Sequence, residues 1–141
     1  MNVAEINYSA EPASIILPER YNAAVEFVDV HIPAGRGEKA AFIDDQASYS
    51  YAELTERVNR TGNALLNLGL PSESRVLLCL QDTIDFPAAF FGAMKAGLVP
   101  VPLNTLMTTD DYAYILSDSR ARALIVRDDL YDKWDPIISG S

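Results

Sequence analysis

Arg75-Val-Leu-Leu-Cys-Leu-Gln-Asp-Thr-Ile-Asp-Phe-Pro-Ala-Ala-Phe-Phe-Gly-Ala-Met-Lys-Ala-Gly-Leu-Val-Pro-Val-Pro-Leu-Asn104 carries three local patterns in succession. Arg75 to Leu80 is a compact apolar run, the composition of a parallel strand covered on both faces. A helix starting near Asp82 or Asp85 then runs to Lys95. Pro87 is tolerable there because it falls in about the first turn and a half, and Gly97 is the natural stop. Val99 to Leu103 reads as a second short strand. Pro100 and Pro102 each remove a ladder donor, which pushes that strand toward a sheet edge or an irregular crossing. Strand, helix and strand joined by short connections predict a right-handed crossover in a parallel sheet.

The pattern extends in both directions. Downstream, Thr108, Thr109, Asp110 and Asp111 form a capping signal, Tyr112, Ile115 and Leu116 give the next helix a modest apolar face, and Ala123 to Val126 is another buried-type strand. Upstream, Ser50, Tyr51, Ala52 and Glu53 match the S-x-x-E capping box, in which serine and glutamate each satisfy an orphan amide. Leu54, Val58, Leu65 and Leu68 keep one face of the helix that follows, until Gly69 and Pro71 end it. Lys39 to Ile43 and Ser48 to Tyr51, separated by Asp44, Asp45, Gln46 and Ala47, read as a β-hairpin. Tyr21 to about His31 is helical, with Ala24, Val25, Phe27 and Val28 on its apolar side and Pro33, Gly35 and Gly37 beyond it. Residues 1–20 carry Pro12, Pro18 and no regular period, and read as an extended N-terminal arm, laid over a surface or loose. The expectation is an α/β fold: a largely parallel sheet with flanking helices and a short hairpin, forming one unit over residues 21–141.

Composition narrows the function classes. Apolar residues are 49% and charged residues 22%, so a folded, soluble body is expected. A net charge of -9 repels nucleic acid at long range. The N-terminus lacks the basic start and apolar stretch of a secretory signal, and no run approaches the ~20 apolar residues of a membrane span, so the expected location is cytoplasmic.

Chemistry is harder to find. Neither G-x-G-x-x-G nor G-x-x-x-x-G-K-[ST] occurs, and the glycines fall at helix ends. Cys79, the single cysteine, lies inside an apolar strand and reads as a small buried hydrophobe rather than a reactive thiol. His31, the single histidine, excludes a histidine cluster for metal and reads as a helix-end or surface residue. The carboxylate pairs Asp44 and Asp45, Asp110 and Asp111, and Asp128 and Asp129 each flank a turn or helix start, where dipole compensation and turn hydrogen bonding account for them. Tyr112 and Tyr114 point in different directions, as core and rim. Arg120, Arg122 and Arg127 could meet cofactor phosphates if they converged, but Asp118, Asp128 and Asp129 around them favour local ion pairs. No catalytic, cofactor-binding or metal-ligating residue is assigned.

The opening stretch nevertheless resembles the N-terminal subdomain of the acyl-adenylate-forming enzymes, where a strand, a helix ending in K-x-G and a V-P-V-x-x-N strand follow one another. Tyr49-Ser-Tyr-Ala-Glu-Leu-Thr-Glu-Arg-Val-Asn-Arg60 resembles the "sYaEL" hairpin-to-helix passage of the same superfamily. Asp82-Thr-Ile-Asp-Phe-Pro87, the Asn104 to Arg122 segment, Tyr21-Asn-Ala-Ala24 and Ala34-Gly-Arg-Gly37 resemble the benzoate and 4-hydroxybenzoate coenzyme A ligase branch. The likeness runs from Tyr21 to Leu130.

The resemblance implies a parent enzyme that activates an aromatic carboxylate with Mg and ATP to an acyl-adenylate, then passes the acyl group to coenzyme A. It also implies that the T-S-G-S-T-G-x-P-K-G phosphate loop, the acid pocket and the catalytic lysine lie downstream of Ser141, so none is carried over and the chain alone is expected to be inactive. Ser139-Gly-Ser141 matches three letters of that loop, but comes too early and lacks the continuation, so it reads as coincidence. The rivals are a ligase for another carboxylic acid and a non-catalytic interaction module of the same ancestry. Expected partners are the remainder of the ligase, or a second copy meeting uncovered core at Ile137, Ile138 and the face of Phe90, Phe91 and Met94. Neither nucleic acid nor membrane is expected as a partner.

Overall fold

The apolar run at Arg75 to Leu80 becomes the axis of the molecule. In a computed structural model, which describes residues 2–139, it forms the central strand β5 (Arg75–Cys79) of a three-stranded parallel sheet. The other strands are β6 (Val99–Pro102) and β7 (Ala123–Val126), in the order β6-β5-β7. Register pairs Leu77 with Val101 on one side and with Leu124 on the other. Alternation sends Val76 and Leu78 to one face and Leu77 and Cys79 to the other, and all four are fully buried. The strand is continuously apolar because neither face meets water. Burial of Leu77 or Leu78 contributes about 1.5–3 kcal/mol each.

Val76 and Leu78 pack against Leu65 of α2 (Tyr51–Asn67) and Ala89 and Ala93 of α3 (Asp85–Lys95). Leu77 and Cys79 pack against Tyr112 of α4 (Thr109–Ser119) and Trp134 of α5 (Tyr131–Ile138). Helices therefore lie on both faces, two to each. α2 opens with the capping box, Ser50 accepting from the Glu53 amide and Glu53 accepting from the Ser50 amide at 2.7 Å. α4 opens with the equivalent pair Thr108 and Asp111. Pro87 sits in the first turn of α3, where its missing N–H costs nothing.

The remaining elements sit beside this layer. The antiparallel hairpin of β3 (Ala40–Ile43) and β4 (Ser48–Ser50) turns at Asp44, whose carboxylate accepts from the Gln46 and Ala47 amides. Its Phe42 and Tyr49 join Val28, Leu54, Val58 and Ile84 in a separate apolar cluster. The expected helix from Tyr21 to His31 is shorter and broken: α1 (Ala23–Phe27) ends where Val28 leaves helical geometry, and a single 3-10 turn follows at Asp29–His31. The Asn22 side chain caps α1 and also donates to the Met94 carbonyl at 2.9 Å, while Lys95 binds Asp29 at 2.6 Å. The lysine of the K-x-G motif thus ties α3 to the 3-10 turn that follows α1.

Three expectations are corrected. The arm at 1–20 is folded on itself, with β1 (Glu5–Asn7) pairing antiparallel to β2 (Ser14–Ile16). The segment after β7 forms α5, so Ile137 is half-buried against the Trp134 cluster instead of lying open, although Ile138 stays exposed. Phe90, Phe91 and Met94 are also half-buried: Phe27 of α1 lies over Phe91, at 6.4 Å between ring centroids, and Phe90 packs against the cluster of Leu65, Val76 and Leu78. Gly140 and Ser141 lie outside the described residues, and with them most of the Ser139 to Ser141 resemblance.

Candidate functional site

The strand order places β6 and β7 on opposite sides of β5, so the chain reverses its direction of growth between β5 and β7. In open α/β sheets the crevice beyond the carboxyl ends of the strands at such a reversal is the usual ligand position. A cleft of about 650 Å³ lies there, between α2, α3 and the ends of β5 and β7, with Arg57, Arg60, Gln81, Ile125 and Arg127 among its walls.

Its cations are already neutralised. Arg57 faces Asp85 at 3.6 Å and lies 5.4 Å over the Tyr49 ring, Arg60 faces Glu56 at 3.7 Å, and Arg127 faces Asp129 at 3.0 Å and hydrogen-bonds Gln81. Such exposed pairs contribute at most about 1 kcal/mol each and hold no geometry rigidly. No glycine-rich turn joins the strand ends to the helices. Gly35, Gly69 and Gly97 take left-handed conformations after helical segments, whereas Gly62 and Gly92 lie where α2 crosses α3. The residues present therefore do not fit an ATP phosphate cradle, and among the described residues no group of three or more acidic, cysteine or histidine side chains is placed to hold a metal.

The residues weighed from sequence do not converge. Cys79 is fully buried, and its thiol donates to the Tyr112 hydroxyl at 3.4 Å. That hydroxyl donates to the Asn104 carbonyl at 2.9 Å, and the Tyr112 ring stacks on Trp134 at 4.5 Å. Burial, with the Cys79 contact second, raises the Tyr112 pKa well above its ordinary range. Tyr114 is exposed. His31 stacks on Tyr51 at 3.8 Å and accepts from Arg36, and desolvation, then Arg36 and Lys39, lower its pKa.

The carboxylates do local work. Asp44 loses solvation, yet amide donors from Gln46, Ala47 and Ile84 outweigh that and lower its pKa. Asp111 is lowered by the Thr108 hydroxyl and then by its amide. Arg122 donates its amide to Arg75 at the start of β5, and Arg127 donates to Cys79 at its end, so the three arginines do not form one patch. The cleft itself was not legible in sequence, because the strand order that creates it depends on which side of β5 each crossover lands.

This geometry belongs to a known group of proteins. The sequence model of the AMP-binding enzyme family matches residues 30–139. The benzoate–CoA ligase of Thauera aromatica is 48% identical over 133 residues, covering 94% of this chain and 25% of that protein. The 4-hydroxybenzoate–CoA/benzoate–CoA ligase of Rhodopseudomonas palustris (strain ATCC BAA-98 / CGA009) is 55% identical over 104 residues, covering 74% of this chain and 19% of that protein. A crystal structure of a benzoate CoA ligase from Burkholderia xenovorans LB400 superposes with a TM-score of 0.81 at 40% identity, covering 86% of this chain and 24% of that one. The chain spans about a fifth to a quarter of the length of these relatives. With the family model on most of its length and the same layered fold around β5, the chain belongs to the AMP-binding enzyme family.

Proposed function

We propose that this chain is the N-terminal part of an aromatic acid–coenzyme A ligase. The whole protein would use Mg and ATP to convert benzoate or 4-hydroxybenzoate into an aroyl-adenylate, releasing diphosphate. It would then transfer the aroyl group to the coenzyme A thiol, releasing AMP. The observation that carries the reading is the 55% identity, over 104 residues, to a ligase named for both acids. The role of these residues is to build one wall of the enzyme: β5 and its four helices form a rigid layer, and the cleft at the strand ends faces whatever follows. We place the enzyme in the cytoplasm and in aromatic-acid degradation. No helix among the described residues is long and apolar enough to cross a membrane.

Two measurements test the reading. The source gene read beyond the Ser141 codon should continue into a T-S-G-S-T-G-x-P-K-G loop; an in-frame stop would favour a non-catalytic interaction module instead. The full-length product should release diphosphate with ATP and benzoate or 4-hydroxybenzoate, whereas the 141-residue chain should release none, since it holds no group to stabilise charge in adenylation. Turnover by the chain alone, or a full-length enzyme that responds only to aliphatic acids, would refute it.

A further inference from the structure

The helices of the layer do not all begin in the same way. α2 and α4 carry their own capping boxes, whereas α3 has isoleucine at its N-cap and no side-chain cap of its own. Two of its opening positions are settled locally: the Phe86 amide donates to the Thr83 carbonyl at 3.0 Å, and Pro87 has no amide to satisfy. Ile84 is different, because it is buried in the cluster of Val28, Leu54 and Val58, where an unpaired amide would be costly. Its amide donates to Asp44 Oδ2 at 3.1 Å, a residue 40 positions earlier in the chain.

Asp44 uses both carboxylate oxygens. Oδ1 accepts from the Gln46 and Ala47 amides at 2.9 and 3.0 Å and closes the hairpin turn, while Oδ2 reaches across to α3. Its charge also stands at the positive end of that helix. The same three elements meet again at the cleft. Asp85 of α3 faces Arg57 of α2 at 3.6 Å, and Arg57 lies 5.4 Å over the Tyr49 ring of β4. Thr83, Asp85 and Arg57 all line the cleft, so the bond from Ile84 to Asp44 fastens its rim. The exposed Arg57–Asp85 pair holds little by itself. Beneath the rim, Phe42 and Tyr49 anchor the base of the hairpin through apolar contact, which needs no charge.

We propose that Asp44 is a latch: it caps α3 from the hairpin turn, holds the cleft rim at Thr83, Ile84 and Asp85 while it is ionised, and frees that rim when it is discharged. The base of the hairpin stays docked through Phe42 and Tyr49, so the rim loosens without the layer unfolding. The ionisable groups on the elements around Asp44 are Arg57 of α2, Asp45 in the same turn, and Asp82 and Asp85 at the start of α3; Asp45 and Asp82 are exposed, and Asp85 is faced by Arg57. Desolvation opposes the charge of Asp44, but the three amides and then Arg57 outweigh it and lower its pKa. The latch is therefore shut at neutral pH and opens only as pH falls through that lowered value. It is independent of the acid that the whole protein activates.

Amide hydrogen exchange of the 141-residue chain, followed by NMR at neutral pH, tests the latch. Asp44→Asn keeps an oxygen for the Gln46 and Ala47 amides and removes the charge. Exchange at Ile84 and Phe86 should quicken by at least about tenfold, while Phe42 and Tyr49 stay as they were. Asp45→Asn, one residue along, should change none of these. A residue that served only the hairpin turn would alter Gln46 and Ala47 alone. Unchanged exchange at Ile84 in a folded Asp44→Asn chain, an equal quickening in Asp45→Asn, or a quickening that spreads to Phe42 and Tyr49 would each overturn the proposal.

If Asp44→Asn does not fold, acid titration of the unchanged chain decides. The Ile84 amide resonance should move together with those of Gln46 and Ala47, with one midpoint below the usual aspartate value of about 3.9, while Phe42 and Tyr49 keep their native positions. An Ile84 resonance that stays put while the two turn amides move overturns the latch. Loss of the whole fold before Ile84 moves does so as well, because the rim would then have no release of its own.

Discussion

Gly92 sits where α3 crosses α2, and a Cβ built there would lie 2.9 Å from Thr61 Cβ and 3.1 Å from the Gly62 backbone nitrogen. Alanine normally improves a helix interior by about 1 kcal/mol over glycine. Here the contact includes backbone that cannot rotate away, so overpacking of about 1–3 kcal/mol should win and Gly92→Ala should lower the urea midpoint. A raised midpoint would mean that the crossing is looser than it looks. Tyr112 is the other decisive residue. Tyr112→Phe removes its bonds to Asn104 and Cys79 inside a stacked, dry cluster, and should cost about 1–2 kcal/mol in the same titration. Because its folded pKa is raised, the proton is held more tightly in the native state. Its contribution is therefore complete below the unfolded value near pH 10 and should fade as alkali is added. Absorbance titration should find one tyrosine that ionises only as the chain unfolds. Cys79 and Tyr112 were both legible in sequence as buried groups. Their mutual hydrogen bond was not, since it joins residues on different elements and depends on the rotation of α4 over the sheet.

Two helices are held by reciprocal caps that the sequence announces directly, because a capping box is a local pattern needing nothing from the rest of the fold. Ser50→Ala and Thr108→Ala should each cost about 0.5–2 kcal/mol in thermal or urea unfolding, and their effects should add, since the caps serve different helices on opposite faces of the sheet. The acid response follows from the same groups. Glu53 is lowered mainly by the Ser50 amide and Asp111 mainly by the Thr108 hydroxyl. Carboxylates depressed in the folded state stabilise it above their unfolded values, and that support is lost as pH falls through the folded ones. Helicity followed by circular dichroism should thus hold at pH 6 and decline below about pH 4. A flat response to pH 2 would show that the caps are dispensable. The elements that sequence reading missed, β1 with β2 and α5, have the opposite character. Ile6 faces Ile15 in an otherwise exposed pair of three-residue strands with no alternating burial to betray them, and α5 contains Pro136 and a single fully buried side chain, Trp134. Cross-strand pairing makes the first pair regular, and the packing of Trp134 on Tyr112 makes α5 so, rather than periodicity.

At the scale of the whole chain, three apolar clusters are each closed by specific side chains, yet the molecule still presents Ile15, Ile16, Leu17, Ile43 and Leu106 to solvent. Large exposed apolar area can arise from a loose core or from a well-packed core with one face uncovered, and the two make different predictions. A loose core binds hydrophobic dye, loses the near-ultraviolet signal of its aromatic residues and melts without cooperativity. The stacked pair of Tyr112 and the single tryptophan, Trp134, supports the second case. The isolated chain should bind dye while keeping a strong near-ultraviolet signal and a single cooperative transition. Trp134→Ala should abolish that signal and cost about 3–5 kcal/mol, a large share of the 5–15 kcal/mol that holds a domain of this size together. Sedimentation across a concentration series provides the complementary reading, because uncovered apolar surface of this extent should draw copies together as concentration rises. A monomer that binds no dye at high concentration would show that the exposed side chains are scattered rather than contiguous, and that this fold needs no further cover.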